Sequence, residues 1–289
     1  MNYRHAFHAG NFADVHKHLV LTRILHYLRQ KPAAFRVIDT HAGAGRYELL
    51  GPQSARSGEW RDGIGQLFAT QRSNGKETDP ARALLAPYLE LVAALNPGGT
   101  LRLYPGSPLI AQALLRRQDR LIACELEPGA AAGLKAALHG DARVKALAID
   151  GWMALFANIP PKERRGLILI DPPYEENVEF ARLSDSLVQA HRKWPTGVYL
   201  LWYPIKARAA PDALARRLRR LSVPKILRCE FSIAPAHADG ALAGSGLIIV
   251  NPPFALEGEL RVILAALTRL LAPAVSPRPA YRLDWLAGE

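Results

Sequence analysis

Apolar positions recur along the chain with two different periods. Between residues 14 and 30, Val15, Leu19, Thr22, Leu25 and Leu28 return every three to four positions, which predicts a helix with one buried stripe. From residue 36 onward the pattern changes to short, β-rich apolar runs, each closed by a polar residue or by Gly and Pro. They lie at 36–40, 121–125, 144–150, 167–171, 198–202, 226–233 and 247–251, and they predict seven strands. Helical patterns at 108–117, 180–193 and 211–221 fall between several of these runs. That alternation predicts βαβ units, hence an α/β fold with a mainly parallel sheet covered on both faces. The last two runs are separated by too few residues for a crossover helix, so an antiparallel pair is expected at the sheet edge.

One interval breaks the rhythm. From the glycine loop at Gly43 and Gly45 to the acidic strand end at Glu125 the chain spends about eighty residues, where a dinucleotide-type unit spends about twenty. A small, mostly helical subdomain is therefore expected at 50–104, bounded by Gly51-Pro52 and Pro105-Gly106, with the main domain formed by 1–49 and 105–289.

Composition narrows the class. With 289 residues, 49% hydrophobic and 22% charged, the chain is long enough to bury one sizeable core. Its net charge of +11 favours a polyanionic partner such as nucleic acid. Residues 1–18 mix histidines, charges and glycine where a secretory signal needs an apolar stretch, and no later segment reaches membrane-spanning length. A cytoplasmic protein is expected. Cys124 and Cys229 sit far apart inside apolar runs, which reads as two buried thiols and not as a disulfide framework. The N-terminal His5, His8, His16 and His18 lack the tight spacing of metal ligands, and no metal is expected.

Four strand ends carry candidate chemistry. Asp39-Thr40-His41-Ala42-Gly43-Ala44-Gly45 ends a strand in a small-residue loop that backbone amides of a ligand site can use. It lacks the spacing of a P-loop, and Glu48 stands where a dinucleotide fingerprint wants Gly or Ala, so an adenosyl amino acid suits it better than NAD. Glu125 can accept two ribose hydroxyls, and Asp150 before Gly151 can meet an adenine amino group; each alone is equally a turn residue or helix cap. The strongest signal is Asp171-Pro172-Pro173-Tyr174 after Leu167-Ile168-Leu169-Ile170. Adenine N6 is a poor nucleophile, so a catalyst must hold the amino group by its hydrogens. Asp171 and the Pro172 carbonyl supply two acceptors, and Tyr174 offers a stacking face for an unstacked base. Asn251-Pro252-Pro253-Phe254 mimics the motif but ends the last run, away from the first strand.

Together with Tyr3-Arg4-His5, Phe7-His8-Ala9-Gly10-Asn11, Gly43 to Tyr47, Pro105-Gly106-Ser107-Pro108, Trp202-Tyr203-Pro204 and Asn251-Pro252-Pro253, these motifs closely resemble the RlmJ family of bacterial 23S ribosomal RNA adenine-N6 methyltransferases over nearly the whole chain. The resemblance implies a Rossmann-like class I methyltransferase fold, S-adenosylmethionine as donor and 23S ribosomal RNA as partner. It implies donor contacts from His18, His41, Gly43, Ser107, Glu125, Asp150, Gly151 and Asp171, and an RNA contact from Tyr3. Arg216 and Arg217, on the outward face of the basic stretch 206–228, are candidate phosphate contacts. A monomer is expected. Two other readings stay open, an adenine-N6 methyltransferase of DNA and a non-catalytic RNA-binding assembly protein.

Overall fold

The computed structural model describes residues 5–72, 79–174, 178–236, 240–272 and 280–288. Every one of the seven apolar runs is a strand, and the packing explains why the runs are continuous. Each strand is introduced here with its bounds: β1 (Arg36–Asp39), β2 (Arg46–Glu48), β3 (Leu103–Pro105), β4 (Arg120–Cys124), β5 (Val144–Leu147), β6 (Gly166–Ile170), β7 (Val198–Ile205), β8 (Ile226–Ser232), β9 (Gly244–Val250) and β10 (Tyr281–Ala287). In β6, Leu167 and Leu169 enter one hydrophobic core while Ile168 and Ile170 enter another on the opposite face. A strand covered on both sides needs apolar residues at every position.

The main sheet has eight strands in the order β10-β8-β9-β7-β6-β1-β4-β5. From β7 to β5 all pairings are parallel, whereas β9 runs antiparallel to both β7 and β8, and β10 antiparallel to β8. Two expectations are corrected. The sheet has eight strands, not seven, and the edge is β10, which leaves β9 in the interior of the sheet. β10 escapes a hydrophobic-run search because it is amphipathic: Arg282 and Asp284 interrupt it, as suits a strand with one partner and a wet side.

β10 is held by a bidentate ion pair from the neighbouring strand. Arg228, wholly buried on β8, donates from Nε and Nη2 to the Asp284 carboxylate at 2.8 and 2.7 Å. Asp284→Asn leaves that guanidinium poorly matched. Since Asp284 is about one-third exposed, the expected loss is about 2 kcal/mol, below the range for a fully buried pair, and urea unfolding would measure it.

On one face lie α1 (Phe12–Arg29), α2 (Pro52–Ser57), α3 (Ile64–Arg72), α4 (Pro80–Ala94), α5 (Ser107–Ala113), α6 (Pro128–Ala137) and, later in the chain, α10 (Leu256–Leu271). The other face carries α7 (Gly151–Ala157), α8 (Glu179–Lys193) and α9 (Ala209–Leu218). α1 starts two residues before the predicted stripe because the Asn11 side chain caps it, accepting from the N–H groups of Ala13 and Asp14 at 3.0 Å each. Residues 50–104 contain α2, α3 and α4. A short antiparallel ribbon, β2 with β3, draws the two ends of this segment together. Leu85, Tyr88, Leu89 and Val92 of α4 share a core with α1 and α10, so the segment packs on the helices that cover this face of the sheet. Among the described residues, no helix is long and apolar enough to cross a membrane.

Candidate active site

β6, β1, β4 and β5 are adjacent and parallel, so their C-terminal ends bring Asp171, Asp39, Glu125 and Asp150 to one rim. The chain passes from β1 to β4 on one side, and β6 lies on the other. Such a reversal opens a crevice at the carboxyl ends of the strands.

The glycine loop is tied into this rim by its own backbone. Gly43 and Gly45 have φ of +60° and +78°, a region that side chains disfavour. The Gly43 N–H donates to Glu125 Oε2 at 2.9 Å, while the Gly45 carbonyl accepts the Gly106 N–H at 2.7 Å. The loop, the end of β4 and the Gly106-Ser107-Pro108 turn are thus one unit. Gly151 is set by contact: a Cβ there would lie 2.0 Å from the Thr40 carbonyl oxygen and 2.8 Å from its carbon. Gly151→Ala must push α7 off β1, and a loss of about 1–3 kcal/mol is expected in urea unfolding.

Hydrogen bonding fixes the state of His41. The Thr40 hydroxyl donates to the Leu169 carbonyl at 3.0 Å, so at 2.8 Å the His41 Nδ1–H donates to Thr40 Oγ1 and Nε2 remains an acceptor. Burial lowers the ring to a pKa of about 4, which keeps it neutral. Trp152 packs edge-on at 5.4 Å between ring centroids. Asp150 caps α7 through the Met153 N–H at 2.8 Å, so the helix-cap use foreseen for it is realised.

Asp39 stands apart from the other rim carboxylates. It is wholly buried, and neither oxygen has a partner at full hydrogen-bond geometry among the described residues, although the Ser107 side chain and the His41 backbone act on it and favour its charged form. Burial pushes its carboxyl up to about 7. An incompletely partnered carboxylate at this depth is suited to a cationic group arriving from outside. Just beyond β4 and β5, Leu126 and Ile149 occupy the positions next to Glu125 and Asp150, and with Met153 they are exposed large hydrophobic residues. Apolar flanks for a flat ring, acceptors for hydroxyls and a buried negative charge together fit an adenosyl group with a cationic amino-acid tail.

Asp171 begins the Asp-Pro-Pro-Tyr turn beside β1. The buried Lys17 ammonium on α1 donates to Asp171 Oδ2 and also lies 3.0 Å from Asp14 Oδ1. Burial works against a charged Lys17, but the two carboxylates outweigh it and hold the ammonium above the ordinary lysine value. Tyr174 adopts φ of +53°, a strained setting for a bulky residue and one that clusters at functional sites. Its hydroxyl donates to the Trp202 carbonyl at 2.7 Å, and its ring meets Phe180 and Trp202 at 4.9 and 5.7 Å. Trp202 is itself pinned, Nε1 donating to Ser245 Oγ at 2.9 Å, with His16 Nδ1 3.0 Å from the same hydroxyl.

Not every sequence candidate joins this group. His18 is buried, with Nδ1 2.7 Å from the Tyr104 hydroxyl and its ring stacked on Tyr104 at 5.6 Å. Arg216 and Arg217 lie in the last turn of α9, which runs back from the end of β7 and so carries them away from the rim. Arg217 is moreover paired with Asp185 on α8. Tyr3 lies outside the described residues. Asn251 ends β9 at the opposite end of the sheet, donating from Nδ2 to the carbonyls of Pro195 and Gly197 at 2.8 Å each. Residues the sequence did not single out are Lys17 and Asp14, while Asp39 was named only as the start of the glycine-loop motif and given no role. Their one available signal was charge on a helix face and strand end that the apolar pattern marks as buried.

A doubly wound sheet with a glycine loop after β1, acidic ends on β4 and β5, and Asp-Pro-Pro-Tyr after β6 defines a class I S-adenosylmethionine-dependent methyltransferase. Comparison with known proteins carries this to a family. A family model described as ribosomal RNA large subunit methyltransferase D, RlmJ, matches residues 32–287, and the chain belongs to that family. It is 39% identical over 274 residues to ribosomal RNA large subunit methyltransferase J of Escherichia coli (strain K12), covering 95% of each chain. It is also 37% identical over 290 residues to the protein of the same name from Haemophilus influenzae, covering 100% of each. A crystal structure of a Legionella pneumophila protein, 35% identical, superposes with a TM-score of 0.86 over 96% of this chain and 98% of that one.

Proposed function

We propose that this ribosomal RNA methyltransferase places a methyl group on the exocyclic N6 of a single adenine in 23S ribosomal RNA. The observation that carries the reading is the Asp-Pro-Pro-Tyr turn, seated beside the glycine loop with Tyr174 held at φ of +53°.

S-adenosylmethionine, when bound, supplies an electrophilic methyl group on a cationic sulfur. Glu125 serves the ribose hydroxyls with the lone pairs that Gly43 and Glu127 leave free, and Leu126, Ile149 and Met153 flank the adenine ring. Neutral His41 offers Nε2, and Asp39 with Ser107 faces the positive amino-acid end. Gly43 and Gly151 let backbone come close, while Asp150 adds a carboxylate at the ring edge. His18 acts from behind this surface through Tyr104.

On the acceptor side, Lys17 engages Asp171 Oδ2, and Oδ1, which no described residue engages, accepts one amino hydrogen. The Pro172 carbonyl accepts the other, since proline has no N–H to compete for that geometry. Held by both hydrogens, the nitrogen presents its lone pair to the methyl carbon, and the rate gain comes from orientation and electrostatic positioning. Tyr174, its hydroxyl fixed, offers its ring as a stacking face for the extruded base. Tyr3 is carried only by the family resemblance as an RNA contact, whereas Arg216 and Arg217 can meet phosphates only on a remote stretch of the RNA. All the groups named come from one chain, so a monomer suffices, and two buried free thiols suit the cytoplasm.

The test is tritium transfer from labelled donor into ribosomal RNA of cells lacking the protein, beside wild-type RNA and genomic DNA, followed by nucleoside analysis. N6-methyladenosine in the deficient RNA alone is the expected result. Label in DNA, or on another atom, overturns the assignment.

A further inference from the structure

Asp14 is wholly enclosed on α1, and four groups converge on its carboxylate. Oδ1 lies 3.0 Å from Lys17 Nζ and 4.0 Å from His18 Nε2. Oδ2 lies 3.0 Å from His5 Nε2 and accepts the Gly10 N–H at 2.9 Å. Burial alone would raise this carboxyl, but His5 and Lys17 outweigh it and hold it well below the usual carboxylate range. The Lys17 ammonium therefore stands between two carboxylates, Asp14 and Asp171, in a pocket where charges are poorly screened.

Charge balance gives Asp14 a task. Two carboxylates share one ammonium, and His5 meets only Oδ2 of Asp14, so Lys17 is not left to Asp171 alone. With Asp14 removed, Lys17 would have Asp171 as its sole carboxylate partner within the cluster. An Asp171 whose charge is offset by an unshared ammonium attracts the hydrogens of an amino group less strongly, because the nearby positive charge opposes them in a poorly screened pocket. The Gly10 and His5 contacts also bring residues 5–10 to the same hub.

We infer that Asp14 is a positioning residue for methyl transfer: by sharing the Lys17 ammonium it limits how far that cation offsets the Asp171 carboxylate. The inference rests on the proposed role of Asp171 as acceptor. Asp14→Asn preserves shape and an acceptor for Gly10 while removing the charge.

The experiment is a double-mutant cycle of wild type, Asp14→Asn, Lys17→Met and the double variant, read as single-turnover transfer of label into RNA, with donor affinity from calorimetry. Asp14→Asn is expected to slow transfer by roughly 30-fold, within the coupling range of residues in direct contact. Donor Kd and RNA KM should stay within about threefold, as expected for a group acting only on the chemical step. In the Lys17→Met background the same substitution should change the rate by less than about threefold, since the two act as one unit. An equal loss in both backgrounds, a loss wholly in KM, or an unchanged rate would overturn the inference. Should the Asn variant not fold, the cycle is run with Asp14→Ser, whose hydroxyl can still accept the Gly10 N–H. Label transfer is counted whatever the acceptor atom, so the cycle reports on Asp14 even where nucleoside analysis rejects adenine N6.

Discussion

Asp171→Ala is expected to lower single-turnover methyl transfer by about a thousandfold, the upper range for losing one preorganised electrostatic contact to the reacting group, while donor affinity changes only a few-fold. In the proposed reading Asp171 meets the acceptor, and most of the donor contacts lie at or just beyond the ends of β1, β4 and β5. The fold should persist, because Lys17 keeps Asp14 as a carboxylate partner at 3.0 Å. Asp171→Asn separates charge from geometry: its side-chain oxygen still accepts one hydrogen bond, so its rate should fall between those of wild type and the Ala variant. Rapid-quench transfer at saturating donor, with calorimetric titration of the donor, measures both quantities. An Ala variant transferring within tenfold of wild type would sink the assignment of Asp171 as acceptor.

The sequence made parts of this legible for specific physical reasons. Leu167 to Ile170 had to be a strand because each residue feeds a core on alternate faces, and Asp-Pro-Pro-Tyr stands out because two prolines before an aromatic residue cannot extend a ladder. β10 stayed hidden because an edge strand needs only one apolar face, and the β2–β3 ribbon because three-residue strands carry no period. Arg216 and Arg217 were attractive as an exposed basic face, yet a helix periodicity gives direction around the axis and says nothing about distance from the rim. Asp14 and Lys17 were opaque for the opposite reason. A single charge in a helix ordinarily points to water; these two acquire meaning only because α1 buries them against Asp171, more than 150 positions later.

The segment 50–104 shows how contacts distant in sequence complete the site. Ser54 Oγ donates to the Ala6 carbonyl at 2.7 Å, Ser57 Oγ to that of Phe7, and Glu59 accepts from Asn11 Nδ2 at 2.9 Å and lies 3.0 Å from His8 Nδ1. These bonds fix residues 6–11 against α2 and its following turn, and so fix the start of α1, from which Asp14 and Lys17 project. A segment with none of the proposed donor or acceptor groups thereby positions two of the charges that meet Asp171.

Asp39→Asn is expected to stabilise the donor-free protein above pH 7 and to weaken donor binding at the same time. The folded-state carboxyl titrates near 7 where the ordinary value is 3.8, because burial penalises its charged form. Below about pH 4 the group is protonated in both folded and unfolded chains and costs nothing. Between about pH 4 and 7 the unfolded chain ionises while the folded one does not, so the wild type loses stability as pH rises; above about 7 the loss is complete, roughly 4 kcal/mol. Asn carries no such penalty, so urea unfolding at pH 8 should show the variant more stable by a few kcal/mol, with the advantage vanishing near pH 4. Donor affinity should fall at least tenfold at pH 8, since a buried charge facing a cation is lost, an effect of roughly 1.4 kcal/mol or more. In the wild type near pH 6, donor binding should release a proton as Asp39 ionises beside the incoming positive charge, visible as a dependence of the calorimetric heat on the buffer. A variant no more stable at pH 8, or one that binds the donor as tightly as wild type, would remove Asp39 from the donor site. The incompletely partnered carboxylate would then lack a functional reason for its burial.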